Sequence, residues 1–452
     1  MSEAVASGEA TVEFAIMGEG SIVIFILLLI YVITGSIIEK KQIPFGHETG
    51  AVIIVGVLLS YLAFTNEQDK LISMMKFDGN LFFYLILPPI VFSAGYNMHR
   101  GKFFENFGGI LFFGVLGTFV TYAAFSLLTY IAVSNITMFK YSGLTGETKE
   151  FTLSGKEILL MCSLLCSTDV IAAVSIVSFE RQPKLYSLIF GEGIVNDAVC
   201  IILFNTVLSF STSDQELDET TPFIIAGNFI TLGFLSLSVG TIYALICARI
   251  FKSYRLLTNS PINESMLVFC FGYLAYTTAE MFHFSGIISL LTCAIVMAHY
   301  AWYNLSPQGK QVTSTAFQVI GYGCEAFCFS YLGLTFFSYS EFEWSLELFL
   351  SMLFIVIFGR FIGTVCFLQI IRLTGKAPDI SFKEIIFMCF AGMIRGAIAF
   401  GLVLRLDDKL PNRGVIVTTS LSLVLVTTLF FGSSLGLVSR CLFGSPEKSR
   451  TS

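Results

Sequence analysis

Phe190-Gly191-Glu192-Gly193-Ile194-Val195-Asn196-Asp197 places two carboxylates and an amide in a stretch that is otherwise apolar from Ala198 through Phe210. The run is long enough to cross a bilayer, and an Asp at the centre of a membrane helix costs roughly 2.5–3.5 kcal/mol on insertion scales. A chain that keeps acids there uses them for an ion or a proton. This stretch is where the function is written.

The composition agrees with a membrane reading. Of 452 residues, 55% are hydrophobic and 13% charged, and a mean hydropathy of +0.80 leaves too little polar surface for a soluble globule. A soluble enzyme is excluded, and the sequence shows no nucleotide loop, nucleophile triad or metal cluster. Neither a cofactor nor a nucleic-acid partner is expected. A spanning helix needs about 20 mostly apolar residues, which yields about thirteen segments near 18–37, 48–65, 79–97, 107–133, 156–179, 185–211, 222–251, 264–283, 285–300, 312–339, 345–371, 383–405 and 414–441. Helix is forced, because backbone groups in hydrocarbon must be paired within their own segment or in a closed barrel, and the alternation of barrel strands is absent. The expected fold class is an all-α polytopic membrane protein.

Lys and Arg settle the orientation. Alternate loops and the C-terminal tail hold sixteen of them, among them Arg100, Lys310 and Arg440, while the opposite loops hold eight. The rule that the positive side is cytosolic puts the C-terminus in the cytosol and the acidic N-terminus in the lumen or outside. The expected organisation is a lumenal or extracellular segment 1–17, a transmembrane domain 18–443 and a short cytosolic tail 444–452. The start does not read as a cleaved signal sequence. The acidic run Asp214 to Glu219 and the sequon Asn135-Ile136-Thr137 fall on the lumenal side, and the longest connection, Asn135 to Gly155, reads as a polar loop.

Eleven cysteines lie in apolar segments without paired loop spacing and read as small packing residues, Cys324 and Cys328 included. His47, His99, His283 and His299 fall at helix ends. His283 is near Glu280, which makes the two a candidate pH-sensing pair beside the plainer reading of interfacial hydrogen bonding.

The ionisable residues left within spans are Asp169, Glu192, Asp197, Glu280, Glu325, Arg360 and Arg395. Some can neutralise one another at helix interfaces. Ser167-Thr168-Asp169 sits mid-span, where such side chains bind local backbone and weaken a helix. A second interruption is expected at Ala391-Gly392-Met393-Ile394-Arg395-Gly396-Ala397. Broken helices supply dipole ends and free carbonyls at the midplane, which is how many secondary transporters build ion sites. Arg395 is expected to balance the unpaired ends and a nearby acid.

At these residues the chain resembles the monovalent cation/proton antiporters, in particular the eukaryotic sodium/proton exchangers. The likeness is carried by Phe190-Gly191-Glu192 with Asn196-Asp197-Ala198-Val199, by Arg395-Gly396-Ala397-Ile398-Ala399-Phe400, by Ala279-Glu280-Met281-Phe282-His283-Phe284-Ser285-Gly286, and by Leu87-Pro88-Pro89-Ile90 through Ala94-Gly95-Tyr96. His299-Tyr300 with Asn304-Leu305-Ser306, and Phe329 through Thr335, resemble the endosomal and organellar type. The resemblance covers about residues 20 to 443.

It implies two inverted repeats with crossed broken helices, a transport bundle and a dimerisation bundle, and a homodimer in an organellar membrane. Asp197 takes the place of the ion-binding carboxylate, with Asn196, Thr168, Asp169 and Glu192 around it. Arg395, Arg360 and Glu325 take the charge-compensating positions, and Glu280 with His283 a pH or inhibitor region. The Asn-Asp pair implies electroneutral one-for-one exchange of Na⁺ or K⁺ for H⁺. Two positions depart from the family pattern: Val170 replaces a proline, which would let the helix run straighter, and Gly193 replaces a serine hydroxyl. Family members usually carry a long cytosolic tail, whereas only Gly444 to Ser452 follows Phe443 here, through loss of that control or truncation of the sequence. Three readings stay open: an exchanger, a transport-impaired relative serving as scaffold in a larger membrane complex, and a channel.

Overall fold

All thirteen apolar segments carry helix in a computed structural model, which describes every residue except 1, 42, 44–45, 66–78, 99, 143–145, 170, 178–181, 213–220, 255–258, 340–342, 374–380, 408 and 445–452. Val170, His99, the acidic run 214–219 and the tail 445–452 therefore lie outside the described residues. In chain order the helices are α1 (Ser2–Lys41), α2 (Glu48–Thr65), α3 (Gly79–Tyr96), α4 (Arg100–Glu105), α5 (Phe107–Asn135), α6 (Gly155–Leu165), α7 (Ile171–Ile176) and α8 (Pro183–Thr212). There follow α9 (Thr221–Ser253), α10 (Pro261–Met281), α11 (Gly286–Tyr300), α12 (Pro307–Thr335), α13 (Leu346–Leu373), α14 (Phe382–Ala391), α15 (Ala397–Leu404) and α16 (Arg413–Phe443). Among the described residues nine helices are long and apolar enough to span a membrane.

The first helix starts at Ser2, ahead of its apolar run. One expectation needs correction. The connection from Asn135 to Gly155 is not a plain loop: β1 (Met138–Ser142) and β2 (Thr148–Phe151) pair antiparallel, and β1 also pairs with β3 (Glu343–Trp344). Alternating Met138, Lys140 and Phe151 hide one face of this small sheet, and Lys140 Nζ meets Glu343 Oε2 at 2.7 Å. Asn135 is exposed at the end of α5, its amide donating to the Ile131 carbonyl.

The architecture is a repeated triplet. Helices α5, α6/α7 and α8 correspond to α13, α14/α15 and α16, and in each triplet the middle span is split in two. The triplets open on the fourth and eleventh of the thirteen apolar segments. Each split helix begins with the same device. Ser154 caps α6 and Ser381 caps α14, and in both the glutamate three residues on, Glu157 or Glu384, accepts from the serine's own backbone N–H. α5 packs against α13, α6 against α8 and α14 against α16, which makes one bundle.

A second bundle joins α2, α3, α9, α10, α11 and α12. With no hydrophobic drive between helices in lipid, close approach of backbones holds such bundles together. Gly56 of α2 and Gly333 of α12 illustrate it: a Cβ on Gly333 would lie 2.7 Å from the Ile53 carbonyl.

Candidate ion-binding site

The split helices meet at their breaks. After Leu165 the chain leaves helical geometry through Ser167-Thr168-Asp169, and after Ala391 it does so through Ile394-Arg395-Gly396. The backbone N–H of Asp169 donates to the Ile394 carbonyl at 2.9 Å, and Arg395 Nη1 donates to the Ser167 carbonyl at 2.9 Å. Each break thus satisfies orphan groups of the other, as helix ends in lipid require. Val170 itself lies outside the described residues; beside it, the backbone contacts of Ser167 and Asp169 hold the break.

Helix α8 runs beside the crossing and brings the quoted motif to it. Ser167 Oγ donates to Asp197 Oδ1 at 2.7 Å, and Asn196 Nδ2 donates to Thr168 Oγ1 at 3.1 Å. Cys200, one turn on, donates its thiol to Asn196 Oδ1 and fixes the amide's orientation. Asn196, Thr168 and Asp169 are buried, whereas Asp197 keeps part of its surface accessible. A cavity of about 90 Å³ is lined by Ser167, Thr168, Asp169, Asp197, Glu325 and Gly396 together with apolar side chains of α3, α8, α11, α12 and α15. Hydroxyl, carboxylate and backbone oxygens suit a hard monovalent cation. Among the described residues no three His, Cys, Asp or Glu side chains converge closely enough to hold one metal ion together.

The two membrane arginines have different partners. Arg360 forms a buried ion pair with Glu192, and neither residue lines the cavity. Glu192 therefore stands as Arg360's counter-charge and not beside Asp197. Arg395, the largest fully buried side chain, has no carboxylate within 4.0 Å among the described residues. It caps the Ser167 carbonyl and lies 5.5 Å from the centroid of the Phe125 ring, while Thr428 Oγ1 donates to its backbone carbonyl. Glu325, grouped by resemblance with the compensating charges, has no Lys, Arg or His within that distance among the described residues and faces the cavity instead.

Glu280 and His283 do not line the cavity. Glu280 Oε1 accepts from the Gly286 N–H at the start of α11, and His283 sits at φ 58° in the tight turn between α10 and α11. Their geometry is that of a helix connection. Gly193 is buried within α8. Sequence reasoning had not singled out Ser167 as Asp197's donor, although it stands beside Thr168 in the Ser-Thr-Asp triplet.

Gly396 marks the tightest point of the crossing. Its backbone is extended, so conformation does not demand glycine, but a Cβ there would lie 2.8 Å from the Asp169 Cβ. Gly396→Ala is expected to shift Asp169 and cut exchange about tenfold at near-normal folded yield, measured as flux per reconstituted protein.

Paired triplets, crossed split helices and an acid-lined cavity at their crossing are the architecture of a secondary transporter. The sequence profile described as "Sodium/hydrogen exchanger, transmembrane" matches residues 24–441, and the chain belongs to that family of transporters. It is 28% identical over 429 residues to sodium/hydrogen exchanger 1 of Oryza sativa subsp. japonica, covering 91% of this chain and 77% of that one. It is 31% identical to sodium/hydrogen exchanger 4 of Arabidopsis thaliana, covering 91% and 78%, and 30% identical to sodium/hydrogen exchanger 8 of Homo sapiens, covering 90% and 69%. The fold is similar to that of the sodium proton antiporter MjNhaP1 from Methanocaldococcus jannaschii, with a TM-score of 0.67 at 15% identity over 95% of this chain and 100% of that one.

Proposed function

We propose that the protein exchanges Na⁺ or K⁺ for H⁺ electroneutrally, one for one, with Asp197 as the group that takes either ligand. The observation that carries this reading is Asp197 itself, a carboxylate with one hydrogen bond from Ser167 and no basic residue within 4.0 Å among the described residues, set in the cavity where the split helices cross. Removal from water favours the neutral acid and an adjacent cation favours the ionised one, so proton and cation compete at the same oxygens. Asn196 is already engaged by Thr168 and Cys200 and adds no second charge, which supports a one-for-one stoichiometry. Thr168 and Asp169 complete the ion's surroundings, and alternating access comes from one bundle moving against the other.

The cavity shares Ile90, Ala94 and Glu325 with the lining of a second one of about 450 Å³, which also includes Ser93, Gln318 and Tyr322. This second cavity lies toward the end of α3 that leads to Arg100 and the end of α12 that carries Lys310, so we assign it to the cytosolic side, with the C-terminus there, segment 1–17 opposite and 18–443 as the transporting unit. α1 and α9 bury little of their apolar surface within the chain, and these faces are available to lipid and to a second copy in a homodimer whose interface lies away from Asp197. An organellar membrane is favoured by the His299-Tyr300 and Phe329–Thr335 motifs.

Purified protein in sealed liposomes, with membrane potential clamped, tests the reading. A Na⁺ or K⁺ gradient is expected to drive proton movement that does not change with the clamped potential. Current without proton coupling would identify a channel, and no movement from folded protein would identify the scaffold.

A further inference from the structure

Among the described residues the other buried glutamates have fixed partners. Glu157 accepts from Ser154 and from the Asn412 backbone, Glu264 from the Ser306 N–H and hydroxyl, and Glu192 pairs with Arg360. Glu325 is different. It is 7% exposed, its one hydrogen bond is a long one of 3.5 Å from the Tyr31 hydroxyl to Oε1, and no Lys, Arg or His among the described residues lies within 4.0 Å. A buried acid left in that state inside a membrane protein is costly and marks a functional position.

Its place explains the cost. Glu325, with Ile90 and Ala94, lines both the cavity of about 450 Å³ and the one of about 90 Å³. A cation moving from the larger cavity to the smaller one would shed part of its water at this shared wall, where the other two residues are apolar. A carboxylate there supplies oxygens for those the ion leaves behind. Among the described residues Glu325, Asp169 and Asp197 do not together form a three-ligand cluster, although all three line the smaller cavity. We propose that Glu325 forms a second monovalent-cation site, an entry station between the wider cavity and Asp197, and that the Tyr31 hydroxyl of α1 positions it. This rests on Asp197 being the exchange site.

Two measurements test the station, and the first needs no transport. In Asp197→Asn protein, NaCl or KCl is expected to raise the melting temperature above an equal concentration of choline chloride, and this difference is expected to vanish in Asp197→Asn/Glu325→Gln. A cation-specific shift that is absent from Asp197→Asn, or that survives Glu325→Gln, overturns the proposal. In liposomes, Glu325→Gln is expected to raise KM for cation offered at the face of the wider cavity about tenfold, with partial recovery in Glu325→Asp and a smaller change in Tyr31→Phe. A lower maximal rate at unchanged KM would show a merely structural role. Should Glu325→Gln fail to fold, Glu325→Asp and Tyr31→Phe still read KM. Full exchange by Asp197→Asn would sink the Asp197 reading and leave the thermal comparison to judge Glu325.

Discussion

Asp197→Asn protein is expected to fold and insert normally and to show no cation-driven proton movement. The substitution keeps the side chain's size, and the amide carbonyl still accepts the hydrogen bond that Ser167 gives to Asp197 at 2.7 Å. No Lys, Arg or His lies within 4.0 Å of Asp197 among the described residues, so neutralising it strands no buried cation and folding is spared. Transport loses both ligands at once. An amide does not take up a proton in the working pH range, and losing a charged contact worth up to about 3 kcal/mol weakens cation binding about a hundredfold. A pH-sensitive dye inside the liposomes, read beside a melting curve of the same preparation, checks both halves. Exchange above about a tenth of the parental rate would move the coupling step to another acid.

Much of this site was legible in the sequence because hydrocarbon makes intramembrane acids, amides and arginines expensive enough to stand out singly. That argument picked out Asp197 and Asp169 singly and the family resemblance grouped them with Asn196 and Thr168; the structure brings all four to one crossing. Partner choice was not legible. Glu192 is five residues before Asp197 on α8, more than a full turn, and that spacing alone does not show that it turns to Arg360 on α13 while Asp197 turns to the cavity. Arg395 was expected to balance the unpaired helix ends and a nearby acid; it serves the Ser167 carbonyl at one such end, and no carboxylate lies within 4.0 Å of it among the described residues. The repeat had a local signature that the apolar pattern hides: Ser154-Gly155-Lys156-Glu157 and Ser381-Phe382-Lys383-Glu384 open the two split helices with one capping box. The small sheet was missed because its strands lie in a polar connection and β3 comes from a distant one.

Arg360→Ala is expected to be the most damaging single change to folding. Arg360 and Glu192 are 5% and 6% exposed and pair with each other, so removing the guanidinium leaves a buried carboxylate without its counter-ion at a cost of about 3–5 kcal/mol. Folded yield and melting temperature should both fall sharply. Replacing the whole pair, as in Arg360→Met/Glu192→Met, removes both charges while filling similar volume, and such exchanges are often neutral or better. Recovery in the double variant would establish the pair as mutual neutralisation; a double variant as poor as Arg360→Ala would shift the weight to Arg360's close contact with Gly392. The same protein separates two roles for Glu192. It lies outside the cavity that Asp197 lines, so a folded double variant should still couple cation to proton movement, because the ligands at the crossing of α6/α7 with α14/α15 are untouched. A double variant that folds but no longer exchanges would return Glu192 to the ion's path, since lost transport could not then be charged to lost structure.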